Sequence, residues 1–241
     1  MTILSIDLAY KRYTDIGAIV LGQSEDGIRC EQLNLQLSGV PSAERLADRL
    51  DVICRQKNIR LILFDGPQGW KARENGLIHS RCCERELNTP AKTGEPFVVK
   101  PANYCDFVKF SIATYDFLAD RGWSRLAKVG VLFEDANRWL VESFPYSAWR
   151  RVGITPLRSK AKSNADDIMK RLEALRQVFP IEINFIPSHD ELQAIVAGLS
   201  GLAIERGDWQ TCIVSGRAPS FEDNYWREGF IVNCVAAPIS A

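Results

Sequence analysis

The first apolar stretch of the chain is short: Ile3, Leu4 and Ile6 with Ser5 between them, ending on Asp7. It predicts a buried strand with a carboxylate at its far end. Residues 13–21 follow, apolar and β-branched at Ile16, Ile19 and Val20, and Ser24-Glu25-Asp26-Gly27 is a turn sequence. Leu33, Leu35 and Leu37 alternate with Gln32, Asn34 and Gln36, a period of two. Together these predict an antiparallel meander up to about residue 37. Pro41-Ser42 opens a helix with Leu46, Leu50 and Ile53 on one face, and residues 60–64 are a continuous apolar run, as in a central strand covered on both faces. A strand reached through a helix lies parallel to its neighbour by a right-handed crossover.

Beyond Asp65-Gly66-Pro67 the pattern breaks up. Glycines and prolines punctuate the chain to Pro101, and residues 106–119 are helical in pattern, with Phe107, Phe110 and Phe117 among the apolar positions. Residues 126–133 fit a helix or a strand equally. The spacing then predicts a core strand over 138–145, a helix over 164–178 with Ile168, Leu172 and Leu175 inward, a short apolar segment at 181–186, and a long helix opened by Ser188. That last helix carries Leu192, Val196, Leu199 and Leu202 on one side, and its Gly198 and Gly201 predict close backbone packing. After Gly207 only residues 229–235 read as a strand. With no repeat or linker, the pattern predicts a single domain over 1–241, with an insertion at about 66–130 capping one end of the sheet.

Composition narrows the class. Of 241 residues, 46% are hydrophobic and 25% charged, an ordinary globular balance, and 30 basic residues match 30 acidic ones. A global basic field is therefore absent, and contact with nucleic acid must come from a local patch. The seven cysteines are an odd number without Cys-x-x-Cys spacing, which argues against a disulfide framework or zinc site and for a reducing, cytoplasmic location. The apolar run at the start is interrupted by Asp7, and no run approaches the roughly 18 residues of a membrane span.

The acids carry the chemistry. Asp7, Asp65 and Glu142 lie at or near the C-terminal ends of apolar strands, and Asp190 lies in the first turn of the last helix. Parallel strands end on one edge of a sheet, and ligands bind outside that edge. Four carboxylates there need counter-charge. Oxygen-only ligation suits Mg2+ or Mn2+, and two such ions about 3.5–4 Å apart activate water and stabilise a leaving oxygen in phosphodiester hydrolysis. Residues 150–171 hold Arg150, Arg151, Arg158, Lys160, Lys162, Lys170 and Arg171 against Asp166 and Asp167, a strip suited to phosphate contact or simply a solvated face.

The order of elements resembles the ribonuclease H fold: an α/β protein with a mixed five-stranded central sheet in β-β-β-α-β-α-β-α order and an insertion after the fourth strand. The motifs resemble a narrower group. Ser5-Ile6-Asp7-Leu8-Ala9, Asp65-Gly66-Pro67, Arg81-Cys82-Cys83-Glu84-Arg85-Glu86-Leu87, Glu142-Ser143-Phe144-Pro145 with Trp149, Lys160, and His189-Asp190 before Ala194 look like those of domain of unknown function family 429, predicted ribonuclease H-like nucleases. The resemblance implies a resolvase-type metal-dependent site with Asp7, Asp65, Glu142 and Asp190 as catalytic metal ligands. Lys160 and Arg81, which lie in those motifs, and Arg150 of the basic strip are expected against a DNA or RNA substrate, and a homodimer is left open. One departure stands out: such proteins often place a second aspartate where this chain has Gln193, just before Ala194.

Each acid also has an ordinary reading. Asp65-Gly66-Pro67 is a turn sequence, Ser188 and Glu191 form a capping box with Asp190 favouring the helix dipole, and Glu142 has arginine neighbours. His189 is expected as a surface histidine beside the cap. Trp70, Phe97 and Tyr104 suit either base stacking or a small insertion core, and Cys82 and Cys83 read as packing residues. The main alternative function is a non-catalytic nucleic-acid-binding or assembly module with a decayed site, signalled by Gln193. A kinase-like ATP-handling relative would need a second such domain and phosphate-binding glycine turns, for which this sequence has no counterpart.

Overall fold

The computed structural model describes residues 2–131 and 137–235. β1 (Thr2–Asp7), β2 (Gly17–Gln23) and β3 (Ile28–Gln32) form the predicted antiparallel meander. The third strand lies earlier than the Leu33-Leu35-Leu37 alternation suggests. Gln36 takes a left-handed φ of 54°, and the Asn34 side chain accepts its N–H, so the alternating leucines pass along the core as a turn-bearing loop. Ser42 caps α1 (Ala43–Gln56), which buries Leu46, Leu50 and Ile53 as expected, and β4 (Leu61–Asp65) follows.

Between β4 and the next long strand lie α2 (Cys82–Leu87), the small hairpin of β5 (Lys92–Thr93) and β6 (Val99–Lys100), α3 (Cys105–Ala119) and β7 (Ser124–Arg125). Then come β8 (Trp139–Ser143), α4 (Pro145–Arg151), α5 (Ala165–Arg176), β9 (Ile181–Glu182), α6 (His189–Glu205), and the hairpin β10 (Cys212–Glu222) and β11 (Tyr225–Cys234). Part of the ambiguous stretch 126–133 lies outside the described residues.

The main sheet runs β10-β11-β8-β4-β1-β2-β3-β9, with β7 added beside β8. Its centre, β3-β2-β1-β4-β8, is the ribonuclease H-like order, with β1, β4 and β8 parallel. The sheet extends past the five expected strands. β11 continues it parallel to β8, and β10 closes the edge as a hairpin that carries a bulge between Arg217 and Ser220. Pro219 falls inside that bulge, where the missing N–H does no harm to the ladder.

The two sheet faces bury separate cores. On one, α6 packs with Ile3, Ile19, Leu21, Leu63 and Val141. On the other, α1 and α3 pack over Leu4, Ile6, Ile62, Phe64 and Leu140. The later part of the 66–130 segment therefore covers a face of the sheet beside α1. The glycines of α6 let it lie close: a Cβ on Gly198 would sit 2.7 Å from Leu21 Cδ1, and one on Gly201 2.3 Å from Leu63 Cδ1. Among the described residues, no helix is long and apolar enough to cross a membrane.

Candidate active site

Apolar β1 and β4 end at the same level because they pair in parallel with Asp7 directly opposite Asp65. Neighbours across a parallel pair project to the same face, so the two carboxylates meet on the α6 side, where Asp7 hydrogen-bonds Asp65. The N-terminus of α6 brings the third acid. Its cap is the expected one: Ser188 Oγ accepts the Glu191 N–H (3.3 Å) and Glu191 Oε2 accepts the Ser188 N–H (2.7 Å). Glu191 is thereby used up in the cap and in a bond from Gln32 Nε2, while Asp190 is buried and faces the strands.

Gly17 sets how near the helix comes. It lies opposite Asp7 on β2, and a Cβ there would be 2.2 Å from the Asp190 carbonyl oxygen. No side chain fits, so backbone contact fixes the distance between helix and sheet.

His189 is the residue that sequence reasoning placed wrongly. Its side chain is only 11% exposed, its Nε2 donates to the Arg158 carbonyl (2.8 Å), and its Nδ1 lies 3.0 Å from Asp190 Oδ1. With Nε2 carrying a proton, Nδ1 and a carboxylate oxygen face each other at a distance that demands a positive charge between them, a proton or a metal ion. Asp7, His189 and Asp190 each offer a ligand atom within 4.8 Å of the others. This donor set of carboxylates and one imidazole, with two acids crowded in the fold, fits a divalent cation.

Electrostatics agree. Burial, followed by the charges of Asp65 and Asp190, pushes Asp7 well above the usual carboxylate range, and Lys160 only partly opposes this. Burial also pushes Asp65 up to about 7, with Glu142 adding to it and the hydrogen bond from Asp7 opposing. The cationic counter-charge at Asp190 is Lys160, whose Nζ bridges Asp190 Oδ2 and Asp15 Oδ1. Burial disfavours that ammonium, but the two ion pairs outweigh it and raise its pKa. Lys160, half exposed, is thus joined to the acids themselves.

Glu142 stands apart from the other three. β8 is offset by one residue, so Phe64 faces Glu142 and Asp65 faces Ser143. Alternation then sends Glu142 to the opposite face from Asp7 and Asp65. There Arg81 donates both Nη1 and Nη2 to it, each at 2.7 Å, and the Gln68 N–H adds a third bond at 3.1 Å. Arg81 also donates Nε to Glu84 (3.0 Å) and is 1% exposed. The arginine expected at the substrate is therefore an internal clamp. Arg150 is exposed, its guanidinium 4.9 Å above the Tyr146 ring. Gln193 accepts the Trp149 indole N–H at 2.6 Å, so it is committed to the fold.

Ser143 takes the place beside Asp65 that Glu142 was expected to fill. It is 1% exposed, and its Oγ has no hydrogen-bond partner among the described residues. The residue is part of the wall of a cavity of about 540 Å3 shared with Asp65, Glu142 and several aromatic rings. Trp70, by contrast, is 3% exposed and belongs to the small core under the β5–β6 hairpin.

Fold and site together define an α/β protein of the ribonuclease H-like class, with acids gathered at the ends of its parallel strands. The chain belongs to the family described as "Protein of unknown function (DUF429)", whose model matches residues 14–215. No curated protein matches it. Among solved structures it is similar to RuvC of Thermus thermophilus, at 12% identity over 86% of this chain and 98% of that one, with a TM-score of 0.41. It is also similar to T. thermophilus RuvC in complex with a Holliday junction substrate, at 12% identity over 86% and 97%, with a TM-score of 0.39.

Proposed function

We propose that this chain is a divalent-metal-dependent nuclease that hydrolyses phosphodiester bonds of nucleic acid, with Asp7, Asp65 and Asp190 as carboxylate ligands and His189 as a nitrogen ligand. The observation that carries the reading is the pairing of Asp7 with Asp65 at the strand ends. Two carboxylates so placed, both raised in pKa and neither ion-paired to a basic side chain among the described residues, destabilise the protein unless they serve a cation. When bound, Mg2+ or Mn2+ supplies the charge that activates water and stabilises the leaving oxygen.

The chain's own groups prepare that chemistry. Asp7 and Asp65 hold a shared proton that leaves as the cation enters. The Arg158 carbonyl fixes the His189 ring, which keeps Nδ1 turned towards Asp190. Lys160, half exposed on a short turn, is free to release Asp190 once a cation is there and to meet a substrate phosphate. Glu142, held by Arg81, adds negative potential at Asp65. The chain is read as one domain with an insertion at about 66–130. All seven cysteines are free, which supports a reducing compartment such as the cytoplasm.

The test is cleavage of single-stranded, duplex and four-way-junction DNA and of RNA in Mg2+ or Mn2+, with Asp7→Asn as the control. Activity should fall by at least about 1,000-fold, with unfolding temperature preserved; full turnover by the variant overturns the proposal. A non-catalytic nucleic-acid-binding module is the second reading, favoured by Gln193 being held by Trp149 and by Lys160 neutralising Asp190. Calorimetry separates the two: it requires that Mn2+ give no heat that depends on Asp7.

A further inference from the structure

We propose that the cavity beside the acids receives an unpaired nucleobase of the strand being cut, so that the enzyme acts on single-stranded or locally unpaired nucleic acid. This deepens the nuclease reading and rests on it. At about 540 Å3 the cavity is in the range of specific small-molecule sites, which are apolar with a few placed polar groups. Four rings line it, Tyr10, Tyr104, Phe107 and Phe144, all half-buried. Tyr10 and Phe107 have centroids 6.4 Å apart and tilted planes, so they are not stacked face to face on each other. These rings do not fill the space; they wall it.

Position ties the cavity to the chemistry. Asp65 belongs both to the cavity wall and to the acid group, so a base seated here is joined to a phosphate at the acids by the length of one nucleotide. The charged groups deeper in the wall, Arg81, Glu84 and Glu142, satisfy one another. These polar groups of the wall are thus already engaged, which leaves the aromatic rings as the surface a base would meet. Exposed Lys11, its Nζ 5.5 Å from the Tyr10 ring centroid, sits at the rim where the sugar–phosphate chain would leave.

A base inside a duplex cannot reach such a cavity without unstacking, which costs a few kcal/mol and least where the base is mismatched or already single-stranded. Rings give stacking rather than an edge code, so the selection is for an unpaired state over a particular sequence.

The experiment uses the full wild-type chain with Ca2+ in place of the catalytic cation, so that the acids keep a divalent ion during binding, and a 12-nucleotide strand carrying one 2-aminopurine. Saturable quenching is expected with the single strand. Binding should be at least about ten-fold weaker to the perfect duplex and should recover when the 2-aminopurine is mismatched. Tyr104→Ala should weaken single-strand binding by roughly 5- to 150-fold, and Tyr104→Phe should restore it, which a folding defect would not allow. Equal affinity for strand and duplex without quenching overturns the base pocket and leaves the nuclease reading standing. If neither form binds, that reading falls as well. If free 2-aminopurine riboside binds as tightly as the strand, the occupant is a nucleoside and the proposal fails.

Discussion

Replacing Asp65 by asparagine should stabilise the metal-free protein, increasingly so as the pH rises from about 4 to 7. In the fold this carboxyl is raised from 3.8 to about 7. A folded-state pKa above the unfolded one means that its contribution is intact below about pH 4 and is lost as the pH rises through 7. At pH 8 the ceiling on that loss is about 4 kcal/mol. Water entering the cleft and relaxation of the pair reduce it, and we expect about 2 kcal/mol, or roughly 4–8 °C for a chain of this size. Thermal unfolding in EDTA at pH 5, 6.5 and 8 reads the effect directly. Asp65→Asn should unfold higher than the wild type at pH 8, with the gap narrowing by about half at pH 5 and closing near pH 4. Excess Mn2+ should reverse the order at pH 8: at 100 times its Kd it adds about 2.7 kcal/mol to the wild type and much less to the variant. A variant destabilised by the same amount at every pH would refute the reasoning, because it would make Asp65 an ordinary structural aspartate.

Two further outcomes follow from the same geometry. Gly17→Ala should lower kcat by about 100-fold while costing roughly 1–3 kcal/mol of stability, since the added methyl displaces the Asp190 backbone by an ångström or more; steady-state kinetics beside a denaturant titration separates the two effects. Arg81→Met should lower stability by about 3–5 kcal/mol because it leaves Glu142 buried and unpaired. The double variant with Glu142→Gln should recover much of that loss in calorimetric unfolding.

The two acids at the ends of β1 and β4 could be read from the sequence because an apolar run that stops at a carboxylate marks both the strand and its end. Glu142 could not be placed in the same way. Its strand is equally evident, but the pairing register is a property of the assembled sheet, and a single step carries the side chain to the other face. His189 was misjudged for a related reason: the cap reveals where the helix begins, whereas the carbonyl that orients the ring belongs to Arg158, far back in the chain. The hairpin strand β10 was missed because Gly216 and Pro219 suppress its local pattern and pairing with β11 supplies what propensity does not. The glycines of α6 were read correctly, since few causes other than close approach retain two glycines within one helix.

The clamp formed by Arg81 also bears on how the molecule is assembled. Its guanidinium comes from the segment between β4 and β8, yet the acid it neutralises belongs to the central sheet. Until that segment docks, the sheet carries an anion in its interior with nothing to offset it. Central strands and inserted segment must therefore mature together, and a chain cut within the segment would yield an unstable scaffold rather than a working core that has lost an accessory.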